Sequence, residues 1–126
     1  MKSHIEILEK KLIIYVDIDD TICISPLRRD YSQAKPIEKN IKKINRLYDQ
    51  GNIIVYWTAR GTGSGIDWRD VTEKQFADWG VKYHELKFGK PIYDIFVVYK
   101  NINAESFFDD TRINEMEKTI IKSKRT

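Results

Sequence analysis

The chain is expected to fold as a Rossmann-like, three-layer α/β/α protein: an open parallel sheet with helices on its faces and no large cap domain. Three observations lead to that class. Short apolar runs alternate with amphipathic stretches from Leu12 to Tyr99, the order that yields parallel strands joined by right-handed helical crossovers. At 126 residues, 41% hydrophobic and 33% charged, the chain can bury one core and has no room for a second domain. The first apolar run ends in the carboxylates Asp17, Asp19 and Asp20, and ligands of such sheets bind beyond the carboxyl ends of the strands. A single domain over 1–126 is expected, its core at about 12–108, with 109–126 forming a C-terminal helix and a basic tail.

Leu12 to Ile18 is β-branched and nearly continuous in its apolar character, the pattern of a central parallel strand buried on both faces. A loop follows from Asp20 to Lys35. Pro36 stands where a helix can begin, with Glu38 in its first turn. Ile37, Ile41, Ile44, Leu47 and Tyr48 recur at helical spacing, and Gly51 supplies a left-handed stop. Asn52 to Trp57 reads as a second strand, and Gly61, Gly63 and Gly65 punctuate the loop after it, a rim or lid. Asp67 is placed to cap the next helix, with Trp68, Val71, Phe76 and Trp79 facing inward and Gly80 ending it. A short strand at Tyr83 to Leu86 and a stronger one at Tyr93 to Tyr99 complete the pattern. Ser3 with Glu6 has the form of a capping box, and Ile113 to Ile121 reads as helix.

The charge balance points away from nucleic acid. Lys and Arg total 22 against 19 Asp and Glu, but Lys118, Lys122, Lys124 and Arg125 gather in the tail, so the body is close to neutral. Four cations without interleaved aromatic residues are a solvated terminus before they are a binding patch. Cys23 stands alone and can make no disulfide within the chain, and no signal-like start or long apolar span is present. A cytoplasmic, soluble protein is expected, with no membrane or nucleic-acid partner and with a homo-oligomer left open.

The carboxylate cluster carries the chemistry. Asp17 and Asp19, two apart on an extended chain, point to the same side roughly 6–7 Å apart. Charges that close shift each other's pKa or hold a cation between them, and Mg²⁺ takes one or two carboxylates and completes its shell with water and phosphate. That is the outline of a phosphoryl-transfer site. Thr58 and Arg60 close the second strand at the same rim, Arg60 being either a phosphate-binding fork or a solvated loop cation. Arg28 and Arg29 are candidates to select an anionic substrate or are solvated. Lys90 lies in a Gly89-Lys90-Pro91 turn just before the last apolar run. His84 lacks companions at metal-ligand spacing, and Cys23 is read as a small packing residue.

In these residues the chain resembles the haloacid dehalogenase-like phosphatase superfamily. Asp17-Ile18-Asp19-Asp20-Thr21 is similar to its first motif, Tyr56-Trp57-Thr58-Ala59-Arg60 to its second and Gly89-Lys90-Pro91 to its third. The resemblance implies that Asp17 attacks phosphorus to form an aspartyl-phosphate and that Asp19 protonates the leaving oxygen and then activates water. It also implies that Thr58 hydrogen-bonds the phosphoryl group and that Lys90 neutralises its charge. Mg²⁺ is the implied cofactor, held by Asp17, Asp19 and Asp20, and a small phosphorylated metabolite the implied substrate. Short members encoded with surface-polysaccharide genes point to a sugar phosphate. The fourth motif departs from the pattern: Val98 and Tyr99 stand where acids usually complete the metal shell, and Asp94 lies at the other end of that run, about 13–17 Å away at about 3.3 Å per residue. A catalytically degenerate protein that binds a phosphorylated ligand is therefore the alternative reading.

Overall fold

A computed structural model describes residues 11–109; the helices expected near Ser3 and over 113–121 and the basic tail lie outside the described residues. The chain divides into two compact units, Ile13–Asp94 and a second made of residues 1–12 with 95–126.

The first unit is an open, three-stranded parallel sheet flanked by helices. Its strands are β1 (Ile13–Val16), β4 (Ile53–Trp57) and β5 (Glu85–Lys87), in that spatial order. Ile13 lies opposite Ile53 and Val55 opposite Glu85. Between β1 and β4 the chain forms β2 (Cys23–Ile24) and β3 (Lys35–Pro36), an antiparallel pair, and then helix α1 (Glu38–Asp49). Helix α2 (Arg69–Trp79) connects β4 to β5. No cap domain occurs among the described residues, nor a helix long and apolar enough to cross a membrane.

Helix α1 follows its sequence pattern: Ile41, Ile44 and Leu47 are buried. Each such side chain contributes roughly 1.5–3 kcal/mol on burial. The helix begins at Glu38 rather than at Pro36, because Pro36 is committed to β3 opposite Cys23 and the Ile37 amide donates to the Ile22 carbonyl. Asn45 locks α1 to the end of α2, donating to the Gly80 carbonyl at 2.9 Å and accepting from the Lys82 amide at 2.9 Å. Gly80 takes the left-handed cap conformation, φ 69°, which it enters without the Cβ clash of other residues. At the start of α2 the N-cap position falls on Trp68, which makes no side-chain cap, and Asp67, expected to cap, sits one residue earlier and accepts from the Arg69 amide. The buried face differs from the expected one: it is Thr72, Gln75 and Phe76, while Trp68, Val71 and Trp79 are half-buried.

Two further expectations are corrected. Among the described residues β1 lies at the edge of the sheet, not at its centre: it pairs there with β4 alone, and Ile13 and Tyr15 are 68% and 51% exposed. The apolar run 93–99 does not form a strand. A strand persists by exchanging hydrogen bonds with a neighbour, and this run has no ladder among the described residues. Its residues from Ile95 onward belong to the second unit, where α3 (Ala104–Phe108) starts with Asn103 accepting from the Glu105 amide.

Tyr56, at the centre of the sheet, is completely buried against Phe76, the ring centroids 4.9 Å apart, yet its hydroxyl has no hydrogen-bond partner among the described residues. A buried hydroxyl without a partner loses hydration and gains nothing in return. Tyr56→Phe is therefore expected to leave stability unchanged or raise it by about 1 kcal/mol, read by urea denaturation; a loss of that size would show that the hydroxyl is satisfied.

Candidate active site

The parallel strands deliver their carboxyl ends to one rim, and backbone hydrogen bonds stitch that rim together. The Thr58 amide donates to the Lys87 carbonyl at 2.9 Å and the Lys90 amide to the Thr58 carbonyl at 3.1 Å, which brings Lys90 back beside β4. The Thr62 hydroxyl donates to the Lys90 carbonyl at 2.8 Å, tying the glycine loop to the same turn. That loop is tightly folded: Gly61 has φ 81°, and a Cβ there would lie 2.1 Å from the Ile66 carbonyl oxygen.

Asp17 and Asp19, side by side in sequence, sit in different surroundings. Asp17 Oδ1 accepts from the Ile18 amide at 2.9 Å and Oδ2 faces Lys90 Nζ at 3.5 Å. Burial pushes its carboxyl above the usual aspartate range, outweighing the opposing pull of Lys90 and the Ile18 amide. Asp19 gives both oxygens to Arg60, from Nε to Oδ2 and from Nη2 to Oδ1, each at 3.0 Å. This fork-to-fork pairing is the strong form of the carboxylate–guanidinium contact.

Arg60 is wholly enclosed. Besides Asp19, its Nη1 donates to Thr72 Oγ1 at 3.0 Å and Gln75 Oε1 at 2.7 Å, and its Nη2 to Cys23 Sγ at 3.7 Å. The guanidinium also lies over the Tyr31 ring, 4.9 Å from its centre. A guanidinium has five N–H donors, and every one has a partner here, so in this arrangement the ion expected to bind substrate is held as a buried cation with no donor left over. Helix α2 carried the missed signal, since two polar residues at i and i+3, Thr72 and Gln75, share the face of Phe76. Cys23 is inert in the same network, its thiol pushed up to about 12 by burial and then by the Asp19 charge.

The remaining candidates divide. Thr58 is 1% exposed and its hydroxyl accepts from the Arg60 amide at 3.1 Å, so it braces the rim and does not line the pocket. Asp20 adopts φ 59° and accepts from the Ser25 amide at 3.0 Å, shaping the loop after β1. The carboxylates expected to hold Mg²⁺ are engaged differently: Asp19 meets Arg60 with both oxygens, and Asp20 accepts from the Ser25 amide through one. Among the described residues no three His, Cys, Asp or Glu side chains form a metal cage. The set Asp17, Asp19 and Asp20 does not fit a shared ion. His84 is structural as expected, accepting from the Ile54 amide and stacking on Tyr48.

A cavity of about 450 Å³ opens at the rim, and Asp17 and Lys90 lie in its wall with Arg28, Tyr31, Trp68 and Tyr93. Arg28 is exposed and held at φ 66°, in the left-handed region uncommon for a residue with a side chain. Two cations, one carboxylate and a set of aromatic faces suit a small anion with an organic body.

Two outcomes test this geometry. Asp19→Ala strands the Arg60 charge and is expected to cost about 3–5 kcal/mol in denaturant unfolding; a loss under about 1 kcal/mol, typical of exposed pairs, would contradict the network. For Asp17 the sign is opposite. Because the folded state raises its pKa, Asp17 favours folding below its unfolded value of about 3.9, and that contribution is lost as pH rises through the folded value. Asp17→Asn is thus expected to be more stable than the wild type at neutral pH, the gain vanishing below about pH 4. A less stable variant at neutral pH would mean that Lys90 outweighs burial.

No family model and no curated protein matches the chain. Among solved structures it is similar to a structural-genomics target from Vibrio cholerae, with a TM-score of 0.72 and 23% identity over 90% of this chain and 99% of the other. At that identity the likeness establishes the fold: a small α/β protein built on an open parallel sheet.

Proposed function

We propose that the pocket takes a small phosphorylated molecule and that Asp17 attacks its phosphorus. The observation that carries this reading is the placement of Asp17, 3.5 Å from Lys90, in the wall of the cavity that Arg28 also lines. An anionic nucleophile approaches an anionic phosphate only where a cation offsets the repulsion, and Lys90 serves both groups from one position. Oδ2 of Asp17 forms the new bond to phosphorus while the bond to the leaving oxygen breaks, giving an acyl phosphate that water then cleaves, so that one difficult displacement becomes two easier ones. The aromatic residues of the cavity take the organic part, and a sugar phosphate is the substrate favoured by resemblance.

Asp19, the proton donor implied by that resemblance, faces Arg60 with both oxygens. The leaving oxygen then takes its proton from water, which suits good leaving groups first. This same lock favours a second reading, in which the pocket binds a phosphorylated ligand without turning it over.

Phosphate release from an aryl phosphate, run with and without Mg²⁺, separates the two. Turnover is expected in the wild type, abolished by Asp17→Asn and lowered about 10²–10³-fold by Lys90→Met, as when one preorganised charge-stabilising donor is removed. Calorimetric binding of inorganic phosphate without turnover under either condition would favour the binding protein. Neither binding nor turnover would overturn both.

A further inference from the structure

The cavity wall holds one cation more than a single phosphate calls for. Asp17 and Lys90 face each other at 3.5 Å in that wall. Arg28 lines the same cavity, is exposed, and among the described residues has no carboxylate, hydrogen-bond or ring partner. By contrast Arg60 is matched by Asp19, Arg69 by Glu73 and the Phe88 ring, and Lys87 by Glu85 and the Tyr15 ring. Every one of these residues belongs to the unit Ile13–Asp94.

The backbone holds Arg28 in place at a cost. It sits in the turn Leu27–Arg29 at φ 66° and ψ 15°, a left-handed conformation in which an arginine gains none of the local hydrogen bonds that stabilise Asn or Asp there. The loop around it is closed from both ends: β2 pairs with β3, the Asp20 carboxylate accepts from the Ser25 amide before the turn, and Asp30 accepts from the Ser32 amide after it. Burial of an apolar residue does not offset the strain, since Leu27 is 91% exposed. Residues held in sparsely populated backbone regions cluster at ligand clamps, and what this turn supplies to the cavity is Arg28.

We propose that Arg28 takes a second anionic group of the ligand, so that the site selects molecules with two separated oxyanions: a phosphate against Lys90 and a carboxylate or further phosphate against Arg28. This rests on the reading of Asp17 and Lys90 as the phosphate end. Lys90 already answers the phosphate that Asp17 attacks, and a cavity of about 450 Å³ exceeds what one phosphate fills, leaving room for an organic body along Tyr31, Trp68 and Tyr93. The guanidinium fork meets carboxylate and phosphate alike with two parallel hydrogen bonds, so the two anions are one chemistry at Arg28 and are told apart by the probe.

Calorimetry on the full chain with probes that cannot be hydrolysed tests the proposal. Alkane bisphosphonates and ω-phosphonocarboxylates of increasing length are each compared with the alkyl monophosphonate of the same length. At least one length is expected to bind the wild type about tenfold more tightly than its monophosphonate, the size of one added charge-assisted contact; a gain confined to the carboxylates or to the bisphosphonates identifies the second anion. Arg28→Gly enters the left-handed turn without strain, so it keeps the loop, and it is expected to abolish the gain while monophosphonate binding persists. Arg28→Lys is expected to retain part of the gain. Lys42→Gln, which removes the same charge from the exposed side of α1, is expected to leave it intact. Equal affinity at every length, a gain that survives Arg28→Gly, or an equal loss in Lys42→Gln would overturn the role of Arg28, while monophosphonate binding weakened by Lys90→Met would leave the phosphate end standing. Monophosphonates that do not bind, or bind equally well to Lys90→Met, would overturn the phosphate end and this inference with it.

Discussion

The buried pairing of Asp19 with Arg60 organises the carboxyl rim. Asp19 follows β1, Arg60 follows β4, and the other Arg60 donors reach Thr72 and Gln75 on α2, while Gln75 donates on to the Tyr31 carbonyl. One guanidinium thus fixes three segments that are distant in sequence. Burying it is costly unless every donor is satisfied, and it is the full set of partners, rather than the ion pair alone, that makes the arrangement tenable. The pairing ties the loop after β1 to β4 and α2 two residues from Asp17, whose own contacts are the Ile18 amide and Lys90.

From this follows a division between two carboxylates two residues apart. Asp19 is half-buried and charge-paired with Arg60 through both oxygens; Asp17 is left facing the cavity with Lys90 at 3.5 Å and with burial working against its ionised form. Environments that separate neighbouring acids are how one site obtains distinct roles from identical side chains. Here the separation favours a lone nucleophile or anion-reading carboxylate over a three-acid metal cage. Asp20, turned to the Ser25 amide, reinforces that outcome.

Helix α1, the stop at Gly80 and the parallel sense of the sheet were legible because their signals are local and redundant, whereas the order of the strands was not, β1 lying beside β4 alone among the described residues. Ile41, Ile44 and Leu47 repeat at the helical period, Gly80 marks a left-handed stop, and alternation of strand and helix implies parallel pairing. The rim location of Asp17 was legible because topology brings strand ends together, while Lys90 was legible only through the resemblance of its Gly89-Lys90-Pro91 turn. Arg60 was not: an arginine after a strand end has the same sequence signature whether its fork meets solvent, phosphate or a buried carboxylate. Thr72 and Gln75 settle the matter only once α2 is folded against them. The run 93–99 exposes a different limit. Composition reports that a segment suits a sheet, but a ladder also needs a neighbouring strand, which composition does not report.

What joins these points is that the rim pairs its charges unequally, leaving Asp17 in the cavity wall with Lys90 beside it. Carboxyl-carbon NMR of Asp17, titrated with and without inorganic phosphate, addresses that claim most directly. Asp17 is expected to titrate above the usual aspartate value of about 3.9, with its midpoint moving when phosphate binds beside it. A midpoint at or below the usual value, unmoved by phosphate, would contradict it.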